Sequence, residues 1–464
     1  MRIDRLHIEN FNGFENKTFE FLRSNDAPIE SNGSFHVMIG RNGTGKTTVL
    51  DAVSVALAVW LVHPPDTILW SSRRKILKSE IRLASSREGD RIQFRQMSSV
   101  SVTAVGTIAG RVGVEWTRAS HGNNYSDERK AKPALDIIES VYDRDRRGEK
   151  LVCPVLAYYG AGRAWLPSNK RSKDKAKSHG PARRWGAFYD CFNERIRTAE
   201  LQDWFLGETI AGVNRGGRMR PGFEAVKRAV LSCVPEANNI WYDSDLKQVV
   251  LSIGNNAQPF DNLSAGQRMM LALVADLAIK AVTQNAFLLP ADELGRDDEP
   301  LPRVLRETPG VVLIDELDVH LHPEWQRHVV EDLRRTFPAV QFIATTHSPF
   351  IVQTLREGEL IMLEGQTIPE VGNRGIDEIA RGLMGVKHPE TNDRYFAMKD
   401  AAKNYLLTLE EAAIAPEEKL QAYLDRLAQG IDQFADNPAY QAFLELQREG
   451  RLGSRLKGGR QGTT

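Results

Sequence analysis

The sequence predicts an α/β fold with an antiparallel β portion, a helical insertion and C-terminal helices. An apolar run, Phe35 to Ile39, leads into a glycine-rich loop ending at Thr48, and then into a helix-like apolar stretch that lasts to about Leu61. Two further apolar runs, Pro309 to Glu316 and Val340 to His347, are continuous instead of alternating, the pattern of strands buried on both faces. Between and after these runs lie alternating strands and charge-rich helical stretches.

The elements follow in chain order. Ile3 to Ile8 and Lys17 to Phe21 read as two strands joined by the turn dipeptide Asn12-Gly13, a hairpin. Residues 65 to 150 mix basic helix candidates with alternating strands such as Val100 to Val105 and Arg111 to Trp116, an antiparallel portion. The stretch 163–184 turns basic, with Lys170, Arg171, Lys173, Lys175, Lys177, Arg183 and Arg184 among Pro and Gly, and is expected to be a loop. A helical stretch from Trp185 to Val234 follows, then strands and motifs from Trp241 to Leu363. Beyond Asp377 the chain is helical, ending in a polar tail, 451–464. This gives a core of 1–62 and 240–365, an insertion of about 65–235, and a separate C-terminal helical region, 366–464.

Composition limits the function classes. Lys plus Arg equals Asp plus Glu, 61 each in 464 residues, so no global basic field announces a nucleic-acid coat protein. Cys153, Cys191 and Cys233 are far apart with no CxxC pair, against a disulfide framework or a zinc hinge. The opening strand pattern lacks the apolar block of a signal peptide, and Val49 to Val62 is interrupted by Asp51 and too short to span a bilayer. A cytoplasmic protein without membrane contact is expected.

Four segments carry chemistry. Gly40-Arg41-Asn42-Gly43-Thr44-Gly45-Lys46-Thr47-Thr48 contains G-x-x-x-x-G-K-T in the strand-to-helix position that phosphate binding demands. Its glycines let backbone N–H groups face phosphates, Lys46 can bridge the outer phosphates of ATP, and Thr47 can ligate Mg2+. At the end of the second apolar run, Asp315 is a second candidate magnesium ligand, and Glu316 is placed to orient or deprotonate the attacking water. Asn262-Leu263-Ser264-Ala265-Gly266-Gln267-Arg268 can be a capping box, and the same geometry presents Ser264 and the Gly266 amide to a phosphate. His347 ends the third run, where a lone histidine after a strand is by itself more often structural, and Asp318 lies two residues past Glu316. His320 and His322 invite a metal reading, but a helix start accounts for them better.

In this order the motifs resemble the SMC-like ABC ATPases of the wider AAA class, a group that includes RecF-type, OLD and chromosome-maintenance proteins. The resemblance covers 1–60 and 240–365. It implies an ABC-type ATPase head in which His347 is a γ-phosphate sensor and Ser264, Ala265, Gly266, Gln267 and Asp318 act on nucleotide held by a second head, so that the site is completed by a head-to-head dimer, or within a higher oligomer. The runs Pro154 to Trp165 and Leu321-His-Pro-Glu-Trp-Gln-Arg327 resemble, more narrowly, the ATPase subunit of Septu antiphage systems (PtuA-like), including the form that accompanies retrons. That resemblance implies an HNH nuclease partner docking on the C-terminal helices, with a reverse transcriptase and its non-coding RNA/DNA in retron systems. Neither a Toprim constellation nor an HNH pattern is visible in this chain, so a nuclease would be another chain. A RecF-like repair ATPase that clamps DNA is the alternative, and nucleic-acid contact by the basic stretch stays open. Tyr158 to Arg163 reads equally as a Q-loop equivalent and as a turn that packs its tyrosines into the core.

Overall fold

The computed structural model of the chain describes residues 1–21, 33–65, 69, 72–121, 125–127, 129–162, 184–290, 301–364, 371–386, 389, 393–431 and 438–458. The expected basic loop therefore lies outside the described residues, apart from Arg184, and so does the end of the expected tail.

The chain opens with β1 (Arg2–Phe11) and β2 (Phe14–Glu20), paired antiparallel around Asn12, whose φ is 48°. After β3 (Ser34–Ile39) and α1 (Lys46–Leu57) comes a separate ribbon of β4 (Leu83–Glu88) and β5 (Arg91–Gln96). β6 (Ser99–Ile108), β7 (Arg111–His121) and β8 (Tyr125–Asp127) then extend the first hairpin into an antiparallel sheet of order β2-β1-β6-β7-β8. Every second residue of β6, from Val100 to Ile108, is buried, which fixes its register against the core.

A second sheet is parallel, of order β15-β3-β14-β13-β9, built from β3 with β9 (Val155–Tyr159), β13 (Gly310–Ile314), β14 (Val340–Thr345) and β15 (Leu360–Met362). All residues of β9, β13 and β14 are buried, as their continuous apolar runs require of strands covered on both faces. Residues 65–235, expected as an insertion, are divided instead: β6 to β8 complete the sheet begun by β1, and β9 is the edge strand of the parallel sheet. Val155 to Tyr159 has the same apolar continuity as β13, so it is a core strand, with Tyr158 and Tyr159 both 3% exposed.

A buried side chain ties the two sheets together. Gln341 in β14 is fully buried, and its carboxamide accepts from Ile3 N at 2.8 Å and donates to Ile3 O at 2.7 Å. This satisfies a stretch of β1 backbone beside its register shift between Ile3 and Arg5.

The helices around the sheets are α2 (Lys132–Arg146), α3 (Thr198–Asn214), α4 (Pro221–Cys233), α5 (Ala265–Gln284), α6 (Arg303–Glu307), α7 (Pro323–Gln326), α8 (Val329–Thr336) and α9 (Pro349–Gln353). A small antiparallel sheet of β10 (Ala237–Asp243), β11 (Gln248–Ile253) and β12 (Asn256–Pro259) precedes α5. Then come α10 (Ile376–Gly382), α11 (Asp393–Ile414), α12 (Glu417–Ile431) and α13 (Pro438–Gly458). Two compact units result, Met1–Ile379 and Ala380–Thr464. The first reaches past the expected boundary at 365 because Val371 and Ile379 are buried in it. In the second, Tyr405, Leu409, Leu427, Leu444 and Leu452 form a core of its own. Residues 451–458, expected in the tail, continue α13.

The helix α1 contains Thr47, Thr48, Val49, Val53 and Val55, β-branched residues that disfavour an isolated helix. Burial holds it: Val49, Leu50, Val53, Val55 and Leu57 are fully enclosed, each contributing about 1.5–3 kcal/mol. Trp116 of β7 donates its indole N–H to Ala56 O at 2.9 Å, and the 3-10 turn Ala58–Leu61 ends the run. The three cysteines are buried free thiols, pushed up by burial, Cys153 to about 11.

Within this helix Asp51 is raised from 3.8 to about 7, chiefly by burial, which outweighs the opposing pull of Arg74 at 3.9 Å. Between those two pH values the folded chain holds a proton that the unfolded chain has released, so this group makes stability fall as pH rises toward about 7 and leaves the full deficit above it. Replacing Asp51 by Asn removes the deficit. The variant's melting temperature should exceed the parent's at pH 8, with a smaller gap at pH 5, as differential scanning fluorimetry across that range would report.

Candidate nucleotide-binding site

The turn between β3 and α1 has its backbone set by glycine. Gly43 and Gly45 take φ of 84° and 96°, the left-handed region that costs other residues about 1–2 kcal/mol. Gly45 is the N-cap of α1 and no side chain caps that helix start, so the amides of its first turn remain for a ligand. A methyl group on Gly45 would also lie 2.7 Å from the Phe14 ring, which brings the β1–β2 hairpin against the loop.

Lys46 sits among these turns with its ammonium donating to Gly40 O at 2.8 Å and Arg41 O at 3.1 Å. Desolvation lowers its pKa, opposed by the carboxylates of Asp315, Glu316, Asp318 and Glu364. Four acids around one partly enclosed lysine make a site where a polyphosphate needs a cation of its own.

One position later, Thr47 donates its hydroxyl to Asp315 Oδ2 at 2.8 Å. Asp315, 6% exposed, also accepts on Oδ1 from Thr345 Oγ1, and its backbone N donates to Tyr159 O at 2.8 Å. Thr47 and Asp315 thus form a pair of hard oxygen donors of the kind that suits Mg2+. Glu316 has φ 49°, a left-handed backbone held by its N–H bond to Thr345 Oγ1 at 2.7 Å. Thr345, to which the sequence pattern assigns no role, therefore fixes both acids. Two hydroxyl residues, Thr345 and Thr346, at the end of a strand that is apolar apart from Gln341 are its only signal.

Asp318 accepts on Oδ1 from His347 N at 3.1 Å and from the Thr346 hydroxyl, while the His347 ring is exposed. Asp318 is therefore tied to the end of β14 within its own chain. Gln326, also unassigned from sequence, donates to Leu321 O at 2.8 Å and accepts from Ser348 Oγ at 2.5 Å, bracing the same turn.

Ser264 caps α5 in a reciprocal box: Gln267 N donates to Ser264 Oγ at 3.3 Å and Ser264 N to Gln267 Oε1 at 3.0 Å. A Cβ on Gly266 would lie 2.5 Å from His320 O, so the start of α5 packs against the segment that follows Glu316. His322 accepts at Nδ1 from Glu324 N at 3.3 Å as the cap of α7, and among the described residues no group of three or more His, Cys, Asp or Glu could hold a metal ion. Arg41, Asn42, Thr44 and Thr48 lie in the loop and first turn as expected from their positions, with Thr44 Oγ1 donating to Arg41 O at 3.0 Å.

A family model described as "AAA domain" matches residues 5–203, and one described as "AAA domain, putative AbiEii toxin, Type IV TA system" matches residues 253–353. The chain is similar to the "Septu protein PtuA" of Bacillus mycoides, 24% identical over 78% of this chain and 40% of that protein. It is also similar to the "Retron Ec83 probable ATPase" of Escherichia coli, 23% identical over 92% of this chain and 84% of the relative. The "Retron Vc95 probable ATPase" of Vibrio cholerae is 24% identical over 77% and 73%. The chain thus spans less than half the length of the Septu relative and most of the length of the retron ones. Among solved structures, the SMC head domain from Thermotoga maritima aligns at 13% identity and a TM-score of 0.39, over 78% of this chain and 94% of that one. An SMC head bound to the C-winged helix domain of ScpA aligns at 15% and 0.43, with the same coverage. By sequence, then, the chain resembles the Septu protein PtuA and the retron probable ATPases. No helix among the described residues is long and apolar enough to cross a membrane.

The two left-handed glycines separate backbone cost from collision. A Cβ on Gly43 would meet nothing within 4 Å, so Gly43→Ala should cost about 1–2 kcal/mol, the backbone term alone. Gly45→Ala adds the clash with Phe14 and should lower the urea midpoint further, with loss of ATP binding in a fluorescent-nucleotide titration.

Proposed function

We propose that the chain is the ATP-binding and hydrolysing subunit of an antiphage defence system, in which ATP draws two heads together and the state of that dimer regulates a separate HNH nuclease. The observation that carries the ATPase reading is the contact between Thr47 and Asp315, residues 268 apart in sequence and 2.8 Å apart in space, at the mouth of an uncapped helix with Lys46 beside them. The likeness to Septu and retron proteins supports the defence reading.

On this reading the amides at the start of α1 and the Lys46 ammonium bind the phosphates, the lysine exchanging its carbonyl partners for phosphate oxygens. Thr47 and Asp315 would hold a magnesium ion, which when bound would supply charge neutralisation at the transferring phosphate. Glu316 takes or orients the proton of the attacking water, its backbone angle fixed by Thr345. Ser264 and Gly266, at the capped start of α5, meet the nucleotide of a second head, whereas the His347 ring senses the γ-phosphate of the nucleotide bound at the loop of its own head. The nucleotide bridges both heads, so its greater affinity for the closed pair drives closure. In the C-terminal unit, the exposed Leu407, Ile414 and Leu446 support the assignment of α11 to α13 as the nuclease-docking region.

Two measurements test this reading. Glu316→Gln should slow ATP hydrolysis by roughly 100-fold or more while raising the dimer fraction in ATP, as light scattering behind size exclusion would record; a variant that stays monomeric in ATP removes the shared-site reading. Tagged chain expressed with its native neighbouring genes should co-purify with a nuclease. A lone chain that retains DNA would replace the defence reading with one of DNA repair.

A further inference from the structure

Alternation along β9 sends its two tyrosines to opposite faces of the parallel sheet. Tyr158 joins the core cluster shared with Val53 and Leu57 of α1, whereas Tyr159 meets α5. The Tyr159 hydroxyl donates to Asp276 Oδ2 at 2.7 Å, and Lys280, one turn further along α5, pairs with the same carboxylate oxygen. Asp276 lies twelve residues after Ser264, about 18 Å along the helix from that cap.

The main chain of the same tyrosine serves the site directly. Tyr159 O accepts from Asp315 N at 2.8 Å, one step past the last residue pair of the β9–β13 ladder, Tyr159 with Ile314. One residue therefore holds the helix that begins at Ser264 through its side chain and the backbone of Asp315 through its carbonyl. A purely packing role does not call for the hydroxyl, because a phenylalanine ring would fill the same space, and its partner is a charged group that Lys280 already satisfies. Burial, with the nearby Asp276 carboxylate, holds the phenol well above its usual range, so the hydroxyl remains a donor at every working pH.

We propose that Tyr159 is a positioning residue that couples the orientation of α5 to the placement of Asp315, so that engagement of the Ser264 end of the helix by a second head's nucleotide is felt at this head's own acids. This rests on the reading of the chain as an ATPase with a site shared between heads. The connection is short and rigid. A tilt of α5 moves Asp276, Asp276 moves the Tyr159 ring, and the ring belongs to the strand whose carbonyl fixes Asp315. Nucleotide binding to one head through the loop and Lys46 does not pass through it.

The test is steady-state ATP hydrolysis by the full chain. Tyr159→Phe keeps the ring and removes the link; kcat should fall by about tenfold, the worth of one hydrogen bond to a charged group, with KM for ATP within about twofold. Asp276→Asn, which still accepts from the tyrosine, should retain most of kcat. Asp276→Ala should lose as much as Tyr159→Phe, and the double variant no more than either, the non-additivity of one shared interaction. Asp276 is partly exposed on its helix, so its variants keep the test open should Tyr159→Phe fold poorly. Unchanged kcat in Tyr159→Phe, or losses that multiply in the double variant, overturn the coupling alone. A parent chain that hydrolyses no ATP overturns the ATPase reading and the coupling with it.

Discussion

The Asp315 carboxylate is the point on which the rest of the site depends. A carboxylate this enclosed is costly unless its oxygens and its backbone are satisfied. Here Thr47 and Thr345 bond its two oxygens and Tyr159 receives its N–H, so one residue collects the ends of β9, β13 and β14 and the start of α1. Each partner arrives from a different stretch of chain. The parallel strand order, with β3 and β13 on either side of β14 and β9 outermost, is what makes the meeting possible.

That strand order has its own supports. The face turned toward α1 is packed by Leu156, Tyr158, Val311, Leu313 and Ile343, and it is continuous with the core of the antiparallel sheet through Trp60 and Trp116. The opposite face carries the Tyr159 to Asp276 bond to α5. Gln341 ties β1 to β14 on the same strand that ends in Thr345. Stability and site geometry are therefore not separable in this unit: the polar residues that satisfy buried backbone between the sheets stand on the strands that deliver the acids.

Much of this is legible in the sequence because it is local. The loop from Gly40 to Thr48, the run ending in Asp315 and Glu316, and the Ser264 to Gln267 box each announce themselves by spacing within ten residues, where backbone geometry and side-chain reach dictate residue type. The basic stretch after Gly160 and the glycines around it obscure the strand before them. Val155 to Tyr159 is only five residues long, and periodicity cannot tell so short an apolar run from a buried turn. Likewise the polar composition of 451–458 suggests a tail, although α13 continues there, anchored by the fully buried Leu452.

By itself the sequence determined the α/β class, the hairpin at Asn12, the glycine turn that opens α1 and the pair of acids that ends β13, since each depends on neighbours along the chain. Tertiary structure alone decided that β9 closes the parallel sheet, that Thr345 holds Asp315 and Glu316 together, that Phe14 crowds Gly45, and that Tyr159 reaches Asp276. Those contacts join residues from about 30 to more than 100 positions apart, and strand order, which sets which distant residues become neighbours, leaves no periodic mark in the chain.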